Sequence, residues 1–101
     1  MNYNDAMGYQ VKRTDANQQE VMDYLRKEGF TVWDTHELGG GFPDIVVGCE
    51  DGNVLVEIKQ PGGKLNEKEQ NFFDTWKGYK TIAYSGEDAY CKIRMILGIR
   101  G

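Results

Sequence analysis

The sequence predicts an α/β domain whose mixed sheet is flanked by helices. Three observations carry that prediction. Short runs rich in β-branched residues alternate with segments of helical period, glycine and proline clusters separate them, and the order reads helix, three strands, helix, strand, helix. A chain of 101 residues, 40% of them apolar, supplies one core and no second one.

Residues 1–13 lack periodicity and are expected to form a flexible or extended arm, with the domain over 14–101. Asp15 can cap a first helix running to about Glu28, with Val21, Tyr24 and Leu25 at helical spacing and Gly29 as its stop. Phe30 to Trp33 is a first strand. The loop from Glu37 to Phe42 contains Gly39-Gly40-Gly41 and leads into a hairpin of strands 44–49 and 53–59, turning at Glu50-Asp51-Gly52-Asn53. Pro61-Gly62-Gly63 ends it. Asn66-Glu67-Lys68-Glu69 has the spacing of a capping box, and the helix it opens carries Phe72, Phe73 and Trp76 to a stop at Gly78. Lys80 to Tyr84 is a fourth strand and Glu87 to Leu97 a last helix. The spacing of Trp33, Phe72, Phe73 and Trp76 fits buried faces better than a base-stacking platform.

Chemistry concentrates in the hairpin. Asp44 opens the run Ile45-Val46-Val47, and Glu57 and Lys59 close the run Val54-Leu55-Val56. Side chains alternate along a strand, so Glu57 and Lys59 share one face while Val54, Val56 and Ile58 share the other. Pairing about the turn brings Asp44 to the Glu57 side. Two carboxylates and an ammonium at one sheet edge suit a hard cation such as Mg²⁺, which takes oxygen ligands and keeps several waters. Such an ion activates water, and a lysine beside it orients the nucleophile or stabilises a phosphorane. Alone, Asp…Glu-x-Lys is a weak pattern, equally met as a solvated charged face.

The net charge of −4 argues against a simple nucleic-acid binder, which is usually basic. Local cations matter more than the total. Lys12-Arg13, Arg26-Lys27, Lys59, Lys64, Lys68, Lys77, Lys80, Lys92 and Arg94 are spread widely enough to form a patch or to be ordinary surface charge. No apolar stretch reaches the length of a membrane span, and the polar start is unlike a signal peptide. Cys49 and Cys91 lack metal spacing, so two free thiols in a reducing cytoplasm is the expectation.

The residues and the element order together resemble the PD-(D/E)xK nuclease superfamily, with its restriction-endonuclease-like αβββαβ core and acids on the second and third strands. Within it the chain is similar to the small VRR-NUC nucleases of phages and prophages, themselves similar to Holliday junction resolvases. The matching residues include Arg13 to Gln18, Leu25 to Gly29, His36, Gly41 to Gly48, Leu55 to Lys59, Lys64-Leu65, Gln70 and Trp76 to Gly78, so the likeness spans about residues 13–97. It implies Asp44 and Glu57 as metal ligands and Lys59 as the catalytic lysine. Gln70 lies where such proteins often place a glutamine near the site, able to reach a phosphate or order a water; the competing reading is a solvent-facing helix residue.

The first helix departs from the pattern. Relatives usually supply an acid where Gln18 stands. Gln18 can bond a metal-bound water or coordinate through its carbonyl, but it adds no charge, and Asp15 and Glu20 are the nearest acids. His36, the single histidine, can contact a scissile phosphate or be a surface residue. The resemblance implies a divalent-metal-dependent DNA endonuclease using Mg²⁺ or Mn²⁺, selective for branched or Holliday junction DNA, working as a homodimer in the cytoplasm (the host's, if phage-encoded). Two other readings stand beside it: a catalytically weakened DNA-binding protein on the same fold, and an acidic protein-interaction module.

Overall fold

The computed structural model describes residues 15–99. The expected arm over 1–13, and any part taken by the Asp15 side chain, lie outside the described residues. Three helices, α1 (Asp15–Lys27), α2 (Glu67–Thr75) and α3 (Gly86–Leu97), accompany four strands, β1 (Thr31–Asp34), β2 (Ile45–Cys49), β3 (Gly52–Ile58) and β4 (Lys80–Ala83). The strands form one sheet in the order β1-β2-β3-β4. The first two pairings are antiparallel and β3–β4 is parallel, so the sheet is mixed. A parallel neighbour requires a crossover, and α2 lies within it.

Burial separates the two sheet faces. Val32, Ile45, Val47, Val54, Val56 and Ala83 meet Val21, Met22 and Leu25 of α1 and Ala89 and Ile93 of α3 in one apolar cluster. Ile45, Leu25 and Ile93 are fully enclosed, each contributing about 1.5–3 kcal/mol relative to exposure. Gly86 opens α3 so close to α1 that a Cβ there would meet Tyr24 and the Glu20 carboxylate, and its amide donates to Glu20 Oε1 at 3.2 Å. Glu20 therefore joins Glu87 and Asp88 as an acid at the α3 N-terminus, where the helix dipole favours it. The opposite face carries α2, which buries no residue completely.

Two tryptophans expected in the core are at the surface. Trp33 is 71% exposed because it alternates with Val32 and points away from α1 on an edge strand. Trp76 is 41% exposed, stacked on Phe72 with ring centroids 5.3 Å apart, and Phe72 in turn meets the edge of Phe42. Phe72 and Phe73 themselves are half-buried. The helix also stops earlier than the glycine signal at 78. The Thr75 hydroxyl donates back to the carbonyls of Asn71 and Phe72, and the Trp76 amide takes Phe72 O, so the last turn is satisfied by Thr75. Strand limits otherwise differ from expectation by about one residue.

One glycine sets where α2 begins. Gly41 has φ +88°, and a Cβ on it would fall on the Lys68 carbonyl group, 2.7 Å from its carbon and 3.1 Å from Glu69 N. The glycine loop is thus the seat for the first turn of α2. Gly41→Ala is expected to destabilise the protein by about 2–4 kcal/mol, combining left-handed strain with overpacking. Gly40, at φ +66° with open space around it, should lose only about 1–2 kcal/mol on the same change. Chemical denaturation of the two variants checks the difference; equal losses would remove the seat argument.

Candidate active site at the β2–β3 edge

The hairpin register assembles the site. Ile45 pairs with Val56, which sets Asp44 opposite Glu57 at the open end of the two strands. Asp44 is then fixed on both its backbone and its side chain. Its carbonyl accepts from Thr35 N at 2.8 Å, and its Oδ2 accepts from Ile58 N at 2.8 Å. Lys59 continues the ladder beyond β3 through Lys59 N to Ala83 O at 3.0 Å, while Asn17 of α1 donates to Lys59 O at 3.4 Å. Pro43, just before the acid, is fully buried.

Glu57 is 3% exposed, an unusual position for a carboxylate, and its Oε1 is buried with no hydrogen-bond partner. Burial first, and then the charges of Asp44 and Glu69, push its pKa up to about 9. Burial also raises Asp44, against the lowering effect of the Ile58 amide. The Lys59 ammonium lies 2.8 Å from Glu69 Oε1 and 3.7 Å from Glu57 Oε2. Burial works against that ammonium, but the hydrogen bond to Glu69 and the surrounding carboxylates outweigh it and hold its pKa above the ordinary value. Glu69 moves the other way: burial alone would raise it, and the bonds from Lys59 and the Asn66 amide bring it below the usual carboxylate range.

Three carboxylates therefore share one ammonium, and one carboxylate oxygen has no partner at all. That donor set fits a hard divalent cation at Asp44 and Glu57. Among the described residues no three His, Cys, Asp or Glu side chains form a ready cation cage, so waters would complete the shell, as Mg²⁺ prefers.

Other sequence candidates fall elsewhere. Gln18 is 5% exposed, and its Nε2 donates to Asp34 Oδ1 at 2.9 Å. Asp34 shares the α1 face with Val32, whereas Glu57 lies on the α2 face with Leu55. The same Asp34 oxygen accepts from His36 N at 3.0 Å and meets His36 Nδ1 at 2.7 Å. Burial would raise Asp34, but the bonds from His36 and Gln18 hold its pKa low. Gln18 and His36 thus form a cluster around Asp34, a residue the sequence reading did not single out. Gln70 is exposed, its Nε2 bonded to Asp74 Oδ1 at 2.8 Å. The α2 residue that enters the site is its neighbour Glu69. The capping-box spacing had marked Glu69, but as a cap and not as a partner of Lys59.

Glu57 has a folded pKa of about 9 against an ordinary 4.5, so the stability linked to its proton is complete below about pH 4.5 and lost as pH rises towards 9. With EDTA present, the melting temperature should fall across that window, and Glu57→Gln should flatten the fall; parallel curves for the two proteins would show that Glu57 titrates normally. Gln18→Glu sets a carboxylate against Asp34 in place of an amide donor and should destabilise by about 2 kcal/mol at neutral pH. Urea titration checks it, and a stability equal to that of the parent would place Gln18 away from Asp34.

The family model described as VRR-NUC domain matches residues 5–83. No curated protein and no solved structure gave a match. The matched span holds Asp44, Glu57, Lys59, Glu69 and all four strands. The chain belongs to the VRR-NUC domain family, a PD-(D/E)xK-like nuclease family that generally uses divalent metals, and its function is of the nuclease type, in DNA processing.

Proposed function

We propose that this protein is a divalent-metal-dependent DNA endonuclease, using Mg²⁺ or Mn²⁺ and acting on branched DNA as a homodimer. The observation that carries the catalytic part is the buried, unpartnered Glu57 Oε1 beside Asp44. A carboxylate oxygen left without a partner in the interior is costly unless a cation or a proton completes it. Asp44 and Glu57 would hold the ion. When bound, such an ion lowers the pKa of a water and polarises a phosphoryl oxygen.

The chain's own groups do the rest. Asp44 accepts from Ile58 N through Oδ2, which fixes the carboxylate beside Glu57. Lys59, kept protonated by its acidic neighbours, acts as a donor to the charge that develops on the phosphorane and not as a base. Arg26, Lys80, Lys92 and Arg94 are occupied with Val32 O, Trp76 O, Ile82 O and Tyr90. Lys64 and Lys77 flank α2 in the chain and Lys68 lies in its first turn; all three are exposed and suit phosphate contacts. Branch selectivity and the dimer rest on the resemblance to junction-resolving relatives, and two sites related by a two-fold axis suit paired incisions.

The pairing of Gln18 with Asp34 favours one other reading, a DNA-binding protein on this fold that does not cut. Incubation with four-way junctions and linear duplexes separates the two. With Mg²⁺ or Mn²⁺ the junction should be cut by paired incisions and in preference to duplex, and EDTA should abolish cleavage. Asp44→Ala, Glu57→Ala and Lys59→Ala should each lower the rate by about a hundredfold or more. Binding without cleavage under every ion would establish the second reading. Equal cutting of duplex by a protein that sediments as a monomer would reject the junction and dimer assignments alone.

A further inference from the structure

Glu69 occupies a position that its place in a capping box does not explain. It is the third residue of α2, and its Oε1 accepts from Asn66 N at 2.9 Å while Asn66 Oδ1 accepts from Glu69 N at 2.8 Å. That exchange satisfies two backbone donors at the helix start, and glutamine performs it as well as glutamate. The same Oε1, however, also receives the Lys59 ammonium at 2.8 Å, a shorter contact than the 3.7 Å to Glu57 Oε2. The pair is largely enclosed, with side chains 15% and 21% exposed. A charge-assisted bond of this kind is stronger and more directional than a surface ion pair.

We propose that Glu69 is the positioning residue of Lys59, holding its ammonium beside Glu57 in a geometry fixed by the α2 cap. This deepens the nuclease reading and depends on it only for the consequence in catalysis. A lysine has four side-chain torsions and about 2 kcal/mol of rotamer entropy, so an ammonium without a fixed partner samples many places. Glu69 removes that freedom. Its own rotamer is set from the other side, because the Asn66 amide binds the oxygen that Lys59 uses. The helix start is in turn set by Gly41 against Lys68 and Glu69. The loop, the cap and the ammonium therefore form one chain of contacts, from Gly41 through Glu69 to Lys59. Glu69 differs from Glu57 in the state of its oxygens: Oε1 of Glu69 has two donors, whereas Oε1 of Glu57 has none. The first is a holder of a cationic side chain, the second an open ligand.

The test separates the charge from the cap. In metal-free protein the ammonium proton exchange of Lys59, assigned by its loss in Lys59→Met, is measured by nitrogen-detected NMR and compared with Lys64, Lys68 and Lys77. Exchange roughly tenfold slower than at those exposed lysines is expected, rising to their rate in Glu69→Gln while the melting temperature stays at that of the parent. Under turnover with Mg²⁺ and a DNA junction, Glu69→Gln should lower kcat roughly ten- to a hundredfold without raising KM, since removing an anion beside a polyanion does not weaken binding. Surface-like exchange of Lys59 in the parent protein would overturn the proposal, whatever the variant's stability. So would an unchanged kcat in Glu69→Gln. A parent protein that cuts no DNA under any ion would remove the nuclease reading instead, and the exchange of Lys59 would still decide whether Glu69 holds it.

Discussion

The Ile58 amide donating to the Asp44 carboxylate is the bond on which the site depends. It joins the residue before β2 to the last residue of β3, beyond the last antiparallel pair, and so converts strand register into side-chain position. A one-residue slip would send Glu57 to the opposite face and replace it with Val56 or Ile58. Such a slip is opposed by the whole apolar face, because Val54 and Val56 would leave the core at the same time. The acids are thus placed by hydrophobic packing that they take no part in. The same packing makes Glu57 a buried carboxylate, against its own solvation.

A carboxylate so placed has three means of relief: a proton, a nearby cation of the protein, or a cation from solution. The structure contains part of the first two. The rise of the Glu57 pKa to about 9 is the proton's share, and Lys59 supplies a positive charge that leans towards Glu69. The ammonium lies 3.7 Å from Glu57 Oε2, and Oε1 has no hydrogen-bond partner. Metal and proton therefore compete for the same carboxyl group, and a nuclease site of this design would strengthen as pH rises through the range where Glu57 loses its proton.

Much of this was legible in the sequence because it depended on local pattern. Alternation in Val54 to Ile58 gave the faces of β3, the turn residues before Asn53 gave the hairpin, and Asn66-x-x-Glu69 gave the start of α2. What was not legible depended on which faces the helices cover. Trp33 and Trp76 are aromatic at strand and helix spacing, which reads as core; they are exposed because α1 lies on the other side of β1 and α2 ends at Thr75. Gln18 fits a helix-one ligand by spacing alone. Its amide is directed instead to Asp34, which the sequence offers as an ordinary end to a strand. Glu69 was read in one role because a capping box accounts for it locally, and only tertiary structure adds Lys59. Gln70, the residue after Glu69, is exposed and bonds Asp74.

The charge balance bears on the order in which a nuclease site of this kind is filled. The protein carries −4 overall, and three of its acids gather around one lysine at the point where a phosphodiester would lie. Phosphate brought to that cluster alone would meet carboxylates that water does not screen, since the site is partly desolvated. Exposed lysines at 64, 68 and 77 can attract the DNA backbone to α2, but they cannot remove repulsion at the reacting atom. A divalent ion at Asp44 and Glu57 would neutralise the cluster of three carboxylates and one ammonium. On this reading the ion is required for the phosphate to approach as well as for the water to react. The acidic pI is then no argument against a DNA substrate, because the charge that excludes the phosphate is the charge that recruits the ion.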